Sequence, residues 1–139
     1  MQRISTLKQH PELREVNYGS LYRKSKKWVE QHIPEYKTDP DYVFPEGESF
    51  REMQKRSARC LGELAEKHED KTILILGHAG VKRGLVCQFL DLNYGKNLRQ
   101  KISQSYIGDF QFIGNKCVGY RELGQPSGFI ESGEVSSGD

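Results

Sequence analysis

Long apolar runs are what this sequence most plainly lacks. None approaches the roughly 20 residues that cross a bilayer, and the N-terminal stretch Met1-Gln2-Arg3-Ile4-Ser5-Thr6 has no apolar signal-peptide core. No membrane partner is therefore expected, and a cytoplasmic location is. Cysteine is scarce too: Cys60, Cys87 and Cys117 are odd in number, far apart and without a CxxC pair. That excludes a disulfide framework and leaves reduced, buried thiols. No His, Cys and carboxylate group stands at ligand spacing along the chain, so no metal and no other cofactor is expected. Net charge is only +2, with no dense basic stretch, which argues against nucleic acid and leaves a small anionic substrate compatible. No internal repeat is visible.

What is present fits one modest domain. The chain has 139 residues, 35% of them hydrophobic, and a mean hydropathy of -0.73. Residues 1–123 read as a single domain. Residues 124–139 are rich in glycine and serine, the composition of a disordered tail.

The domain is organised around residues 71–90. Residues 72–76 are β-branched and aliphatic without polar alternation, which predicts a strand buried on both faces. From Val81 the period changes: Val81, Leu85, Val86, Phe89 and Leu90 recur at helical spacing. Gly77, His78, Ala79 and Gly80 form the join. A strand end followed by a helix N-terminus offers free N–H groups and the positive end of a dipole, an anion site. Small residues there admit a ligand to the backbone, and His78 is placed to donate to a phosphate oxygen or move a proton. The alternative role for His78 is to cap the helix.

Elsewhere, residues 1–9 have the pattern of a short helix ended by His10-Pro11. Residues 13–19 read as a loop in which Glu15, on composition alone, is an ordinary solvated acid. Residues 20–33 predict a helix burying Leu21, Trp28, Val29 and Ile33, with Arg23, Lys24, Lys26 and Lys27 on a solvated face. Residues 34–45 form a loop long enough to cover a substrate. Ser49 and Glu52 fit a capping box that opens a helix reaching about His68, with Phe50, Met53, Ser57, Cys60, Leu61 and Leu64 on one side. Gly95 suits a left-handed stop after the next helix. Residues 105–112 and 117–122 predict a β-hairpin across a turn at Gly114-Asn115, with Asp109 a polar residue inside it.

Three motifs occur in order: Leu13-Arg14-Glu15-Val16-Asn17-Tyr18-Gly19, Pro45-Glu46-Gly47-Glu48-Ser49, and Ile75-Leu76-Gly77-His78-Ala79-Gly80-Val81-Lys82-Arg83. As an ordered set they resemble the histidine phosphatase superfamily, whose members include phosphoglycerate mutases. The resemblance implies an α/β fold, a mainly parallel sheet flanked by helices. It implies that His78 binds and polarises a phosphoryl group and that the Ala79 N–H serves the same phosphate. It further implies that Glu15 is the acid and base of the reaction, with a proton-holding carboxyl aided by partial burial, and that Asn17 lies at the phosphate. Glu48 and Ser49 match the family turn as helix-capping structure.

The family's opening strand, ending in Arg-His-Gly and carrying the nucleophilic histidine, has no counterpart anywhere in this sequence. The resemblance therefore implies an incomplete sheet, without its first central strand, ending in the hairpin. Phosphomonoester hydrolysis through a phosphohistidine is then expected of the complete protein and little turnover of this chain alone. The alternative is a phosphate-binding or oligomerisation module. His10, His32 and His68 do not stand at a strand end beside glycine. The unpaired edge at residues 72–76 is expected to pair with a second copy or with a complementing N-terminal fragment.

Overall fold

The computed structural model describes residues 7–123. The elements within it are α1 (Lys26–His32), α2 (Phe50–Lys67), α3 (Ala79–Phe89), α4 (Tyr94–Asn97), β1 (Gly108–Ile113) and β2 (Lys116–Glu122), with 3-10 turns at Pro11–Leu13, Gly19–Arg23 and Pro34–Lys37. The expected helix at residues 1–9 and the expected tail at 124–139 fall wholly or largely outside the described residues; residues 7–9 are irregular.

Helix α2 forms where its cap is written. The Ser49 hydroxyl accepts from the Glu52 N–H at 3.0 Å, and the Glu52 carboxylate accepts from the Ser49 N–H at 3.2 Å. Such a cap contributes about 1 kcal/mol. Met53, Ser57, Cys60 and Leu61 are buried along the helix, and so are Gln54 and Gly62. Gln54 is satisfied by donating from Nε2 to the Gly84 carbonyl at 3.0 Å, which ties α2 to α3. Gly62 lets Asn115 of the hairpin turn approach: a Cβ there would meet the Asn115 carbonyl at 3.3 Å.

The expected helix over residues 20–33 is broken in two. Lys24 is extended, and Ser25 takes an N-cap position by accepting from the Trp28 N–H at 3.1 Å. The local cap outcompetes helix continuation through Ser25. The basic residues Arg23, Lys24, Lys26 and Lys27 do face solvent. After α3, the left-handed residue is Asp91 (φ 54), while Gly95 lies inside α4, whose first turn Asn93 caps. Gly95 is required for close approach instead, since a Cβ would stand 2.8 Å from the Thr38 carbonyl.

The hairpin forms as the turn chemistry predicts. Ile113 pairs with Lys116, and Gly114 adopts φ +60 at the first turn position. Asp109 is explained by its cross-strand partner, Arg121, at 2.9 Å. Phe89 of α3 packs edge-on to Phe110 and Phe112 at 5.6 and 5.2 Å, fixing β1 to the helices. The main core joins Val16, Phe44, Met53, Leu61, Val81 and Leu85.

Two expectations are corrected here. Among the described residues the sheet is two-stranded and antiparallel, not mainly parallel. Residues 72–76 are not a strand buried on both faces. They are irregular backbone, with Leu74 76% and Leu76 78% exposed, and their N–H and C=O groups make no hydrogen bond to a described residue. The composition suits a strand, but a strand is defined by pairing, and no described segment is hydrogen-bonded alongside. Between this segment and β1 runs a groove of about 700 Å³, floored by Leu61, Leu64, Val81 and Leu85.

Candidate functional site

The start of α3 is the centre of the site. His78 is its N-cap residue, with φ -77 and ψ 155, and its side chain makes no capping hydrogen bond. Capping is therefore not what the imidazole does. His78 and Ala79 are both exposed, at the end of the helix where N–H groups lack helical partners.

Glu15 comes to the same place from the other end of the sequence. Its carboxylate lies against Gly80, in the first turn of α3. A Cβ at Gly80 would collide with Oε1 and stand 2.9 Å from Oε2. The same carboxylate accepts from the Val16 N–H at 3.1 Å and is half-buried. A carboxylate over a helix N-terminus is in a favourable field, and Gly80 stands two residues after His78 in the sequence. Of the residues singled out from sequence, Glu15, His78 and Ala79 are thus brought together.

Asn17 is placed otherwise. Its side-chain carbonyl accepts from the Gly19 N–H at 2.9 Å, an Asx turn that shapes its own loop. Its backbone is paired with Glu48 in both directions: the Asn17 N–H donates to Glu48 Oε1 and the Glu48 N–H donates to the Asn17 carbonyl, each at 3.0 Å.

Glu48 does more than the expected capping. It forms a two-pronged ion pair with Arg56, Nη2 to Oε1 at 2.6 Å and Nε to Oε2 at 3.1 Å. Burial alone raises a carboxyl, but the Arg56 hydrogen bonds and the Asn17 amide outweigh it and hold the Glu48 carboxyl below its ordinary range. Arg56 also donates to the carbonyls of Glu12 (2.6 Å), Arg14 (2.8 Å) and Glu15 (3.1 Å). One guanidinium thereby holds the whole Glu15 loop on α2. The sequence reading missed it. The available signal was that Arg56 stands three residues after Met53 and four before Cys60, on the buried side of an amphipathic helix.

Tyrosines and thiols complete the surroundings. Burial, then Glu15 and Tyr36, push the Tyr18 hydroxyl up, with Arg83 opposing. Burial likewise raises the Tyr94 hydroxyl, which lies beneath Arg51 at 5.6 Å from ring to guanidinium. Burial pushes the Cys87 thiol up to about 12 against Arg83 and Arg51, so it is neutral and not a nucleophile. His32 is stacked on Trp28 at 4.2 Å, and His68 closes α2 as its C-cap. Neither stands at the start of α3.

The candidate site therefore consists of a helix N-terminus, an imidazole without a hydrogen bond to a described residue and a carboxylate, an arrangement suited to an oxyanion and a proton. The family follows from comparison. Residues 2–118 match the histidine phosphatase superfamily (branch 1), and the chain belongs to it. Among curated proteins it is 28% identical over 110 residues to an Arabidopsis thaliana protein named metal-independent phosphoserine phosphatase. The match covers 74% of this chain and 46% of that protein, so the chain spans less than half its relative's length. No helix among the described residues is long and apolar enough to cross a membrane.

Proposed function

We propose that the chain supplies part of a phosphomonoester hydrolase site in which His78, the Ala79 N–H and Glu15 handle the phosphoryl group. The observation that carries this is the packing of the Glu15 carboxylate on Gly80, two residues after His78 in the first turn of α3. A histidine nucleophile supplied from outside these residues attacks phosphorus, forming a P–N bond as the ester P–O bond breaks. Glu15 gives its proton to the leaving oxygen. Water then attacks the phosphohistidine, passes a proton to Glu15, and releases phosphate. His78 and the α3 N-terminus stabilise charge on the phosphoryl oxygens throughout. A small phosphorylated molecule is the substrate.

The test is paired. Titration of the chain with inorganic phosphate should show saturable binding, weakened about tenfold or more in His78→Ala, while an aryl phosphate is not hydrolysed. Hydrolysis by the chain that disappears in His78→Ala would show that the nucleophile lies within it. Absence of phosphate binding would remove the site. The second reading, a non-catalytic phosphate-binding module, is favoured by His32 stacking on Trp28 and His68 ending α2, so that neither belongs to the turn carrying His78. It predicts phosphate binding that no added strand converts to turnover.

The nucleophile-bearing segment is proposed to lie in the groove between residues 72–77 and β1. An extended strand there would satisfy backbone groups on both flanks and cover Leu74 and Leu76. Sedimentation across the micromolar range should show self-association of the isolated chain through this edge. A clean monomer that takes up no strand peptide would count against the proposal.

A further inference from the structure

Near the N-terminal turn, folding gathers three metal-ligating side chains. Donor atoms of His10, Glu12 and Cys60 all lie within 4.8 Å of one another. Spacing along the chain gave no sign of this, because Glu12 comes from the Pro11–Leu13 turn, His10 from the residue before it and Cys60 from α2. Cys60 is 6% exposed, and none of the three side chains makes a hydrogen bond or ion pair with a described residue. A buried thiol thus lies within 4.8 Å of an imidazole and a carboxylate, with no hydrogen bond to a described residue.

The backbone under these donors is already held. His10 precedes proline, which confines it to the extended region it occupies, φ -120 and ψ 107. The Glu12 carbonyl accepts from Arg56 Nη1 at 2.6 Å and from the Ser57 hydroxyl at 3.3 Å, one turn of α2 before Cys60.

We propose that His10, Glu12 and Cys60 form a structural site for a divalent transition-metal ion of the zinc type, stapling the turn ahead of Glu15 to α2. One nitrogen, one carboxylate oxygen and one sulfur suit zinc; magnesium and calcium take oxygen ligands. Tetrahedral zinc places its ligand atoms roughly 3.5 Å apart, so the three donors must close by about 1 Å. The sulfur–metal bond forms as the thiol proton leaves to solvent, with no redox change. Water fills the remaining position. None of the three residues is proposed to touch phosphate, so the ion stands outside the reaction.

The test is titration of the reduced full chain with Co²⁺, whose thiolate charge-transfer absorption reports sulfur ligation. A saturable band at one ion per chain, displaced by Zn²⁺, is expected. Cys60→Ser should abolish the band, His10→Ala and Glu12→Gln should each weaken binding about tenfold or more, and Cys117→Ser should leave it unchanged. Glu12 is exposed, so Glu12→Gln keeps the test informative should Cys60→Ser fail to fold. No saturable band, a band that survives Cys60→Ser, or a band insensitive to both His10→Ala and Glu12→Gln would overturn the site.

Discussion

Arg56→Ala should lower unfolding stability by well over about 1 kcal/mol, the ceiling for exposed ion pairs, and toward the about 3–5 kcal/mol of a fully buried pair broken from one side, because this pair is largely but not fully covered. Both partners are well covered, with side-chain exposures of 11% for Arg56 and 14% for Glu48. The substitution leaves the Glu48 carboxylate without its cation and removes the guanidinium from three carbonyls. Urea unfolding measures the loss. A cost below about 1 kcal/mol would mean the pair behaves as a solvent-exposed one. The pH dependence gives a second readout. The Glu48 carboxyl is depressed in the folded state, so its contribution is present above the unfolded value of about 4.3 and fades as pH falls through the folded value. Wild-type stability should therefore drop on acidification below about pH 4.3, and the drop should be shallower in Glu48→Gln.

Gly80→Ala should separate function from stability. The added Cβ meets the end of the Glu15 side chain, which can swing away, so unfolding stability should change by less than about 1 kcal/mol. The carboxylate, however, loses its place on the first turn of α3. If the chain works as proposed, once joined by a nucleophile-bearing strand, displacement of Glu15 by about 1 Å should cost roughly 10²-fold in turnover. The measurement is aryl-phosphate hydrolysis beside urea unfolding of the same variant. Unchanged turnover would exclude Glu15 as the proton donor, whereas a large stability loss would make Gly80 a packing requirement only.

Much of the chain could be read locally. The capping box at Ser49, the helix after His78 and the hairpin around Gly114 all depend on residues within one or two turns of each other, where side-chain and backbone chemistry act at short range. Their positions followed from periodicity and turn residues. The break at Ser25 and the left-handed Asp91 were legible in principle, since each is a polar residue suited to its local conformation, but helical pattern and a nearby glycine pointed elsewhere.

The sequence by itself determined the family, the helix that presents His78 and Ala79, and the apolar character of residues 72–76. Only the tertiary structure decided that those residues pair with no other described segment, because strand pairing is a relation between segments and not a property of one. It also decided that Arg56 holds the Glu15 loop, that the Glu15 carboxylate rests on Gly80, and that His10 and Glu12 meet Cys60. Each of these joins residues 30 or more positions apart. Such contacts depend on how helices and loops pack, and no local propensity encodes them.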